Sequence, residues 1–310
     1  MFRLIPRPAC PACLQSEGQQ TICEIPYARL KAYMESAYVR DSIEAHLPDI
    51  LHHDYVILEC SDCFLLYQKY VPDADSMKIL YSEMISPDVT FDRHRFHMDD
   101  LAYYERHFRD IFSVLAHLKR HPSQIRVLDF GSGWAQWARV AKAIGADVSI
   151  AEISERQIEN ARELGIGNVD VFGYSGPAFD YIHAQDVFEH LPEPHRILGK
   201  LVQLLGKGGI MRIAVPPGFR MKSRIARFAE TSFGNLPELA PLQHINNFSQ
   251  PSLRRFAGQF GLAPVYIRPR FPNVAEYAKS LAFRNEAALN TVLYALTRKR
   301  VAPYPYFTAS

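Results

Sequence analysis

Residues 125–137 (IRVLDFGSGWAQW) constrain the fold of this chain more than any other segment. The apolar first half predicts a short buried strand that ends in Asp129, and Gly131 and Gly133 predict a tight turn into a helix. A glycine turn lets the backbone approach a ligand closely. A second predicted strand ends in Glu152, an acid placed to hold two ribose hydroxyls. The segment therefore predicts a parallel α/β sheet that binds an adenosine-containing cofactor.

Two details separate this turn from the dinucleotide-binding fingerprint. That fingerprint has a third glycine three residues after the second, and here that position is Gln136. Asp129 stands two residues before the first glycine, where a carboxylate repels phosphate and pairs with an ammonium group. The amino-acid end of S-adenosylmethionine (SAM) carries an ammonium. The turn therefore favours SAM over NAD.

The pattern Asp-x-Gly-x-Gly-x-Ala resembles motif I of class I SAM-dependent methyltransferases, with Ala135 in place of the usual third glycine. Segments 179–191, 204–210 and 244–253 resemble later parts of the same family. The resemblance implies an α/β fold, namely a Rossmann-like class I methyltransferase sheet, with SAM as the cofactor. A turn that binds no ligand is the alternative for motif I taken alone.

The resemblance also assigns cofactor-binding roles to residues at strand ends. Glu152 is expected to hold the ribose, and Asp129 to order the methionine ammonium. Tyr174 follows the third predicted strand (168–172), where the family often has an acid that contacts adenine. Gln185 and Asp186 end the fourth predicted strand beside the sulfonium. The implied cofactor-binding residues are Asp129, Gly131, Gly133, Trp134, Glu152, Tyr174, Gln185 and Asp186.

A second group of residues points to the chemistry of methyl transfer. Asp186 opens the sequence Asp-x-x-Glu-His, and His244 follows later in the chain. This pattern resembles the metal site of small-RNA ribose O-methyltransferases and ubiquinone-pathway O-methyltransferases, where Mg²⁺ or Mn²⁺ holds the acceptor hydroxyls. Catalytic roles fall on Glu189, His190 and His244. Three alternatives stay open: a divalent metal site, a metal-free site with a histidine as general base, and a purely structural turn.

All five cysteines lie in the first 63 residues, and four of them form two Cys-x-x-Cys pairs. The pairs are Cys10 with Cys13 and Cys60 with Cys63, and Cys23 is left over. Two such pairs predict a tetrahedral, structural zinc site, since four thiolates leave no open position for water. Disulfides are the alternative. The N-terminus lacks the apolar core of a signal peptide, which predicts a cytoplasmic location and disfavours disulfides.

Charge and hydropathy limit the partners. The net charge is +2, and residues 1–70 carry six Lys/Arg against nine Asp/Glu, a net charge of −3. A nucleic-acid-binding module is normally basic, so this composition disfavours nucleic acid. No apolar run approaches the roughly 20 residues of a membrane span. A small-molecule acceptor is therefore the predicted partner.

The predicted organisation is a zinc-ribbon-like module (1–72), a helical connector (73–122) and a methyltransferase domain with a C-terminal helical extension (123–310). This order resembles bacterial methyltransferases of sugar and natural-product pathways. The resemblance implies a sugar, nucleotide sugar or secondary metabolite as acceptor, methylated on oxygen or carbon. An RNA methyltransferase that docks through its zinc module and a non-catalytic scaffold are the alternatives. Whether the C-terminal extension forms a homodimer contact is left open.

Overall fold

A computed structural model describes residues 1–85, 90–92, 95, 100–216, 218, 221–228, 237–268 and 306–309. The chain forms two compact units that alternate along the sequence. The first unit comprises Met1–Arg93, Asp186–Leu198 and Val215–Gln259. The second unit comprises His94–Gln185, Gly199–Ala214 and Phe260–Ser310. The division at residues 72 and 122 thus stays a prediction, because these units are assembled from separated stretches of chain.

The secondary structure of the described residues is as follows. The strands are β1 (Leu4–Pro6), β2 (Gln19–Pro26), β3 (Asp54–Cys60), β4 (Leu66–Gln68), β5 (Tyr70–Pro72), β6 (Arg126–Phe130), β7 (Asp147–Ala151), β8 (Gly167–Asn168), β9 (Phe179–Gln185), β10 (Leu205–Ala214), β11 (Asn246–Asn247), β12 (Leu262–Val265) and β13 (Tyr306–Ala309). The α-helices are α1 (Lys31–Ala37), α2 (Arg40–Ile50), α3 (Ala74–Ile79), α4 (Leu101–Leu118), α5 (Gln136–Ala143), α6 (Glu155–Glu163), α7 (Pro194–Leu204), α8 (Met221–Phe228) and α9 (Gln250–Gly258). Among these helices, none combines the length and apolar character that crossing a bilayer requires.

The second unit is built on a seven-stranded sheet with the order β12-β13-β10-β9-β6-β7-β8. Strands β10, β9, β6, β7 and β8 are parallel, whereas β13 runs antiparallel to both of its neighbours. The chain winds outward from β6 to β8 and then returns to β9 on the other side of β6. Ligands of such sheets bind at this switch point, beyond the carboxyl ends of the strands. The predicted Rossmann-like class I methyltransferase sheet is confirmed.

The strand β13 was not predicted. Residues 306–309 pair with β10 on one side and β12 on the other, and Phe307 is fully buried. The Thr308 hydroxyl donates a hydrogen bond to the Gly209 carbonyl at 2.9 Å. Pairing with two neighbouring strands stabilises this four-residue strand more than local preference does. The predicted C-terminal extension contains a stretch of helical spacing over residues 275–298, and this stretch lies outside the described residues.

The third strand is shorter than predicted. A strand over 168–172 was expected, but β8 contains only Gly167 and Asn168. The Asp170 carboxylate accepts the backbone N–H groups of Phe172 at 3.0 Å and Gly173 at 3.2 Å. These bonds close a turn where the strand was expected to continue. The prediction was wrong because an Asp side chain competes with strand pairing for backbone donors.

The first unit combines a four-stranded antiparallel sheet, of order β11-β4-β3-β2, with a two-stranded sheet of β1 and β5. Helices α1 and α2 lie in the stretch between the two cysteine pairs. Their buried side chains, including Met34, Ile43 and Ile50, join Tyr27 and Tyr55 in one apolar core. The four paired cysteines lie together in this unit, as a zinc-ribbon-like module requires.

Candidate functional site

Asp129 is a buried acid near the carboxyl end of β6, with 3% of its surface exposed. Its Oδ2 has no hydrogen-bond partner among the described residues. Burial raises the pKa of Asp129 to about 8, and the charge of Glu152 adds to this effect, whereas a hydrogen bond from the Ala138 backbone and the charge of Arg212 oppose it. A buried carboxyl group with a free oxygen gains stability when a cation arrives.

The turn after β6 has three residues in the left-handed region: Gly131 (φ 68°), Gly133 (φ 54°) and Ala135 (φ 56°). Glycine adopts this conformation without strain, whereas Ala135 does so at a cost of about 1–2 kcal/mol. The Gly131 N–H donates to the Ala151 carbonyl at 2.8 Å. The Gly133 N–H donates to Glu152 Oε2 at 2.9 Å. The predicted glycine turn and the predicted acid are therefore in direct contact.

Glu152 accepts further hydrogen bonds from the backbone that follows it. Its Oε1 accepts the N–H groups of Ile153 at 2.7 Å and Ser154 at 3.2 Å. Asn168 holds its backbone, because Asn168 Oδ1 accepts the Glu152 N–H at 2.9 Å and Nδ2 donates to the Glu152 carbonyl at 3.2 Å. Asn168 was not predicted as a site residue, because its position becomes informative only once β8 is known to end there.

Apolar side chains are exposed at the same edge of the sheet. Ile153 is 89% exposed, and Phe172, which lies beyond β8, is 43% exposed. Trp134 is nearly buried, its carbonyl accepts a hydrogen bond from Asn160 at 3.0 Å, and the Arg156 guanidinium lies 5.5 Å from its ring centroid. Exposed apolar groups beside fixed polar groups are typical of a ligand-binding edge.

Tyr174 lies elsewhere. Its ring stacks on Phe179 at 5.1 Å between centroids, and its hydroxyl donates to the Pro177 carbonyl at 3.0 Å. Phe179 begins β9, whereas Gln185 ends it, so the structure does not bring Tyr174 to Asp129 and Glu152. The shortened third strand explains this placement, because the chain turns back before Tyr174.

Gln185, at the end of β9, belongs to a polar cluster that the sequence analysis missed. Arg212 Nη1 donates to Gln185 Oε1 at 3.1 Å and to Asp110 Oδ2 at 3.2 Å. The Trp137 indole N–H donates to the same Asp110 oxygen at 3.3 Å. Arg212 stands in register with His183, and His183 with Asp129, across β10, β9 and β6. Arg212 therefore carries its positive charge in the same cross-strand row as Asp129, with His183 between them.

In the first unit, the sulfur atoms of the four paired cysteines lie within 4.8 Å of one another. The Sγ atoms of Cys10 and Cys63 are 3.5 Å apart, as are those of Cys13 and Cys60. A disulfide needs about 2.05 Å, whereas thiolates around a tetrahedral zinc ion stand about 3.8 Å apart. A hydrogen bond from Cys63 lowers the pKa of Cys10 to about 6. The four sulfur atoms thus fit a zinc ion, and the Cys10 thiol loses its proton more easily than an ordinary thiol.

Cys23 does not join this group. It lies on β2 with 7% of its surface exposed and belongs to the apolar core of the first unit. Burial, followed by the charge of Glu24, raises the pKa of its thiol. Cys23 is therefore a core residue, and the fifth cysteine does not alter the ligand count.

Glu189, His190 and His244, called the triad below, form a second cluster in the first unit, and their ligand atoms lie within 4.8 Å of one another. Glu189 is 2% exposed, and neither of its carboxylate oxygens has a hydrogen-bond partner among the described residues. Burial and then the charge of Asp186 raise the pKa of Glu189 well above its usual range. Asp186 itself is exposed, in a left-handed conformation (φ 54°), and is not part of the cluster.

His190 has a defined orientation within the triad. Its Nδ1 lies 3.0 Å from the Gln243 carbonyl oxygen, which only accepts, so the proton is on Nδ1 and Nε2 carries the free lone pair. Nε2 lies 3.8 Å from Glu189 Oε1, and the ring meets His244 edge-on at 4.8 Å. Burial and the neighbouring His244 lower the pKa of His190 to about 4. His190 is therefore neutral at pH 7.

The chain is similar to known methyltransferases. A family model described as a methyltransferase domain matches residues 101–267, more than half of the chain. The ubiquinone biosynthesis O-methyltransferase of Parvibaculum lavamentivorans is 28% identical over 131 residues, which is 39% of this chain and 52% of that protein. Methyltransferase GfsG of Streptomyces halstedii is 27% identical over 146 residues, covering 43% and 52%. The chain thus spans about half the length of the curated relatives it matches.

Similar chains are also found among solved structures. The plantazolicin methyltransferase BpumL, in complex with a pentazolic analogue and SAH, is 15% identical, covering 73% of this chain and 92% of that one, with a TM-score of 0.46. The fold is identified by the strand order described above rather than by this likeness. Together with the family match, that strand order leads to one conclusion: the chain belongs to the methyltransferase-domain family.

Proposed function

We propose that the chain transfers a methyl group from SAM to a hydroxyl group of a small-molecule acceptor. One observation carries this proposal: Glu152 accepts the Gly133 amide at the switch point, beside the buried and partly unpartnered Asp129. The family match supports methyl transfer, and relatives named as ubiquinone biosynthesis O-methyltransferases support oxygen as the methylated atom.

The residues of the second unit fit SAM. SAM supplies a methyl group on a positively charged sulfur, which makes the methyl open to in-line attack. Asp129 Oδ2 is a free buried acceptor for the methionine ammonium, and Glu152 is an acceptor for the ribose hydroxyls. The exposed Ile153 and Phe172 offer apolar surface for the adenine. Each part of the cofactor therefore has a matching group in this unit.

Binding of SAM is expected to depend on pH through Asp129. The raised pKa of about 8 means that Asp129 is protonated below pH 8 in the free protein, whereas pairing with an ammonium requires the carboxylate. The apparent affinity should therefore rise with pH by up to about tenfold per unit until pH 8. Calorimetric titration with SAM between pH 6 and pH 8 measures this affinity.

Asp129→Asn should bind SAM weakly and with no pH dependence, and Asp147→Asn, at an exposed aspartate, should bind SAM as the wild type does. An affinity of the wild type that is constant over this range would contradict the assignment.

We further propose that the triad holds a divalent cation on the acceptor side. The two unpartnered oxygens of Glu189 and the free Nε2 of His190 form an oxygen and imidazole donor set that suits Mg²⁺ or Mn²⁺. Such an ion lowers the pKa of an acceptor hydroxyl. His190 is held in its tautomer by Gln243, as ligand imidazoles usually are by a second partner.

Glu189→Gln is expected to abolish tight Mn²⁺ binding and to lower methyl transfer by about 10²–10³-fold, since it removes the charge of the only acid in the triad. Electron paramagnetic resonance of added Mn²⁺ measures the binding. Formation of S-adenosylhomocysteine with a panel of catechols and sugars measures the transfer. Glu193→Gln, at an exposed glutamate nearby in the sequence, is the matched control. Unchanged Mn²⁺ binding in Glu189→Gln would exclude the metal site, and a metal-free reaction that depends on His190 would then identify that histidine as a general base.

A further inference from the structure

Asn246 ties the segments of the triad together. It is fully buried, and its Nδ2 donates to the carbonyls of Phe188 at 2.9 Å and Leu191 at 2.7 Å. Its backbone N–H donates to the Glu189 carbonyl at 3.0 Å. Three bonds from one residue thus fix the turn that carries Glu189 and His190.

Arg7 connects Asn246 with the cysteine cluster. Its Nη1 donates to Asn246 Oδ1 at 2.7 Å and to the Ile245 carbonyl at 3.3 Å. Its Nε and Nη2 are buried and have no hydrogen-bond partner within the described ranges. Arg7 stands three residues before Cys10 and interacts with it electrostatically. A buried guanidinium with two unused donors therefore stands close in the chain to Cys10, a thiol that becomes a thiolate when it binds zinc.

The other cysteine pair is linked to the triad by Gln68. This residue lies on β4, which pairs with β11, five positions after Cys63. Gln68 Nε2 donates to the carbonyls of His244 at 3.1 Å and Ala240 at 3.2 Å, and its backbone N–H donates to the Ile245 carbonyl at 3.0 Å. Arg7 and Gln68, each close in sequence to one cysteine pair, therefore donate two separate sets of hydrogen bonds to the segments of the triad.

We propose that the zinc-loaded cysteine cluster holds the triad in its working arrangement, with Arg7 and Asn246 as the positioning residues between them. Zinc with four thiolates carries a net charge of −2, which gives the Arg7 guanidinium a counter-charge and its free donors acceptors. An immobilised Arg7 fixes Asn246, and Asn246 fixes the turn at residues 188–191. The proposal rests on the proposed function in one respect, the assignment of the acceptor to the triad.

Hydrogen–deuterium exchange of the full chain tests this connection. We expect Arg7→Met, with zinc retained, to raise the exchange rates of peptides covering 186–198 and 240–250 by about tenfold, because the variant loses the charge-assisted hydrogen bonds from Arg7 to Asn246 and to the Ile245 carbonyl. Peptides covering 126–151 of the second unit should not change. Arg40→Met, at an exposed arginine paired with Glu44, is the matched control. Wild-type exchange rates in zinc-loaded Arg7→Met would overturn the proposal.

Asn246→Ala decides the question if Arg7→Met loses its zinc. In this variant, with zinc retained, exchange in 186–198 should rise by about tenfold, because Asn246 no longer holds the turn at residues 188–191. Wild-type exchange rates in 186–198 of zinc-loaded Asn246→Ala would show that Asn246 does not position the triad and would overturn the proposal. The assay contains neither SAM nor acceptor, so a failure of methyl transfer in activity assays leaves its outcome unaffected.

Discussion

Glu152→Ala is expected to weaken SAM binding by about a hundredfold. The substitution removes both carboxylate acceptors for the ribose hydroxyls, and a hydrogen bond to a charged group contributes about 1.5–3 kcal/mol. It also removes the acceptor of the Gly133, Ile153 and Ser154 N–H groups. The backbone turns at the cofactor edge therefore lose these hydrogen bonds even when no SAM is bound. Isothermal titration with SAM measures the affinity.

Two companion variants separate these effects. Glu152→Gln keeps one carbonyl acceptor for the turn while removing the charge, and should fall between the wild type and Glu152→Ala. Glu155→Ala, in the first turn of α6 and exposed, should bind SAM as the wild type does. Wild-type affinity in Glu152→Ala would mean that the edge of the sheet at β7 does not bind the cofactor, and the proposed function would lose its main support.

Cys60→Ser is expected to remove zinc from the protein and to unfold the first unit. Structural zinc contributes about 10–16 kcal/mol to the folding of small zinc domains, and this is as large as the whole stability of a typical domain. Cys60 ends β3, the central partner of β2 and β4, so its loss acts at the middle of the sheet. Elemental analysis should show about one zinc per chain in the wild type and almost none in the variant. Calorimetry should show the loss of one unfolding transition.

Cys23→Ala provides the matched control for this experiment. Cys23 is buried and lies on the neighbouring strand β2, but outside the cysteine cluster. Its substitution should cost about 1 kcal/mol and leave the zinc content unchanged. Stoichiometric zinc in Cys60→Ser, or loss of zinc in Cys23→Ala, would contradict the assigned ligand set.

The cofactor edge could be predicted from the sequence because its determinants are local. A strand, a glycine turn and an acid at the next strand end are encoded within residues 125–152, and the contact between Gly133 and Glu152 follows from two adjacent parallel strands. The position of Tyr174 could not be predicted in this way, because the Asp170 side chain ends β8 early. Local polar competition of this kind is hard to distinguish in sequence from a strand that continues.

The triad could be predicted only in part. Glu189 and His190 are neighbours, and His244 joins them because β11 pairs with β4, a contact between distant parts of the chain. Asp186 had suitable spacing but takes a left-handed conformation and lies outside the cluster. No feature of the sequence indicated a role for Arg7, since its partner Asn246 is 239 positions away. Long-range pairs of this kind become visible only once the chain is folded.

The position of β13 has a consequence for the order in which the protein is made. Residues 306–309 fill the slot between β10 and β12, and the Thr308 hydroxyl bonds to a carbonyl 99 positions earlier. Until these residues have left the ribosome, β10 and β12 each present an unpaired edge, and exposed edges are sites of aggregation. The nascent chain therefore depends on other protection for those two edges until residues 306–309 have left the ribosome.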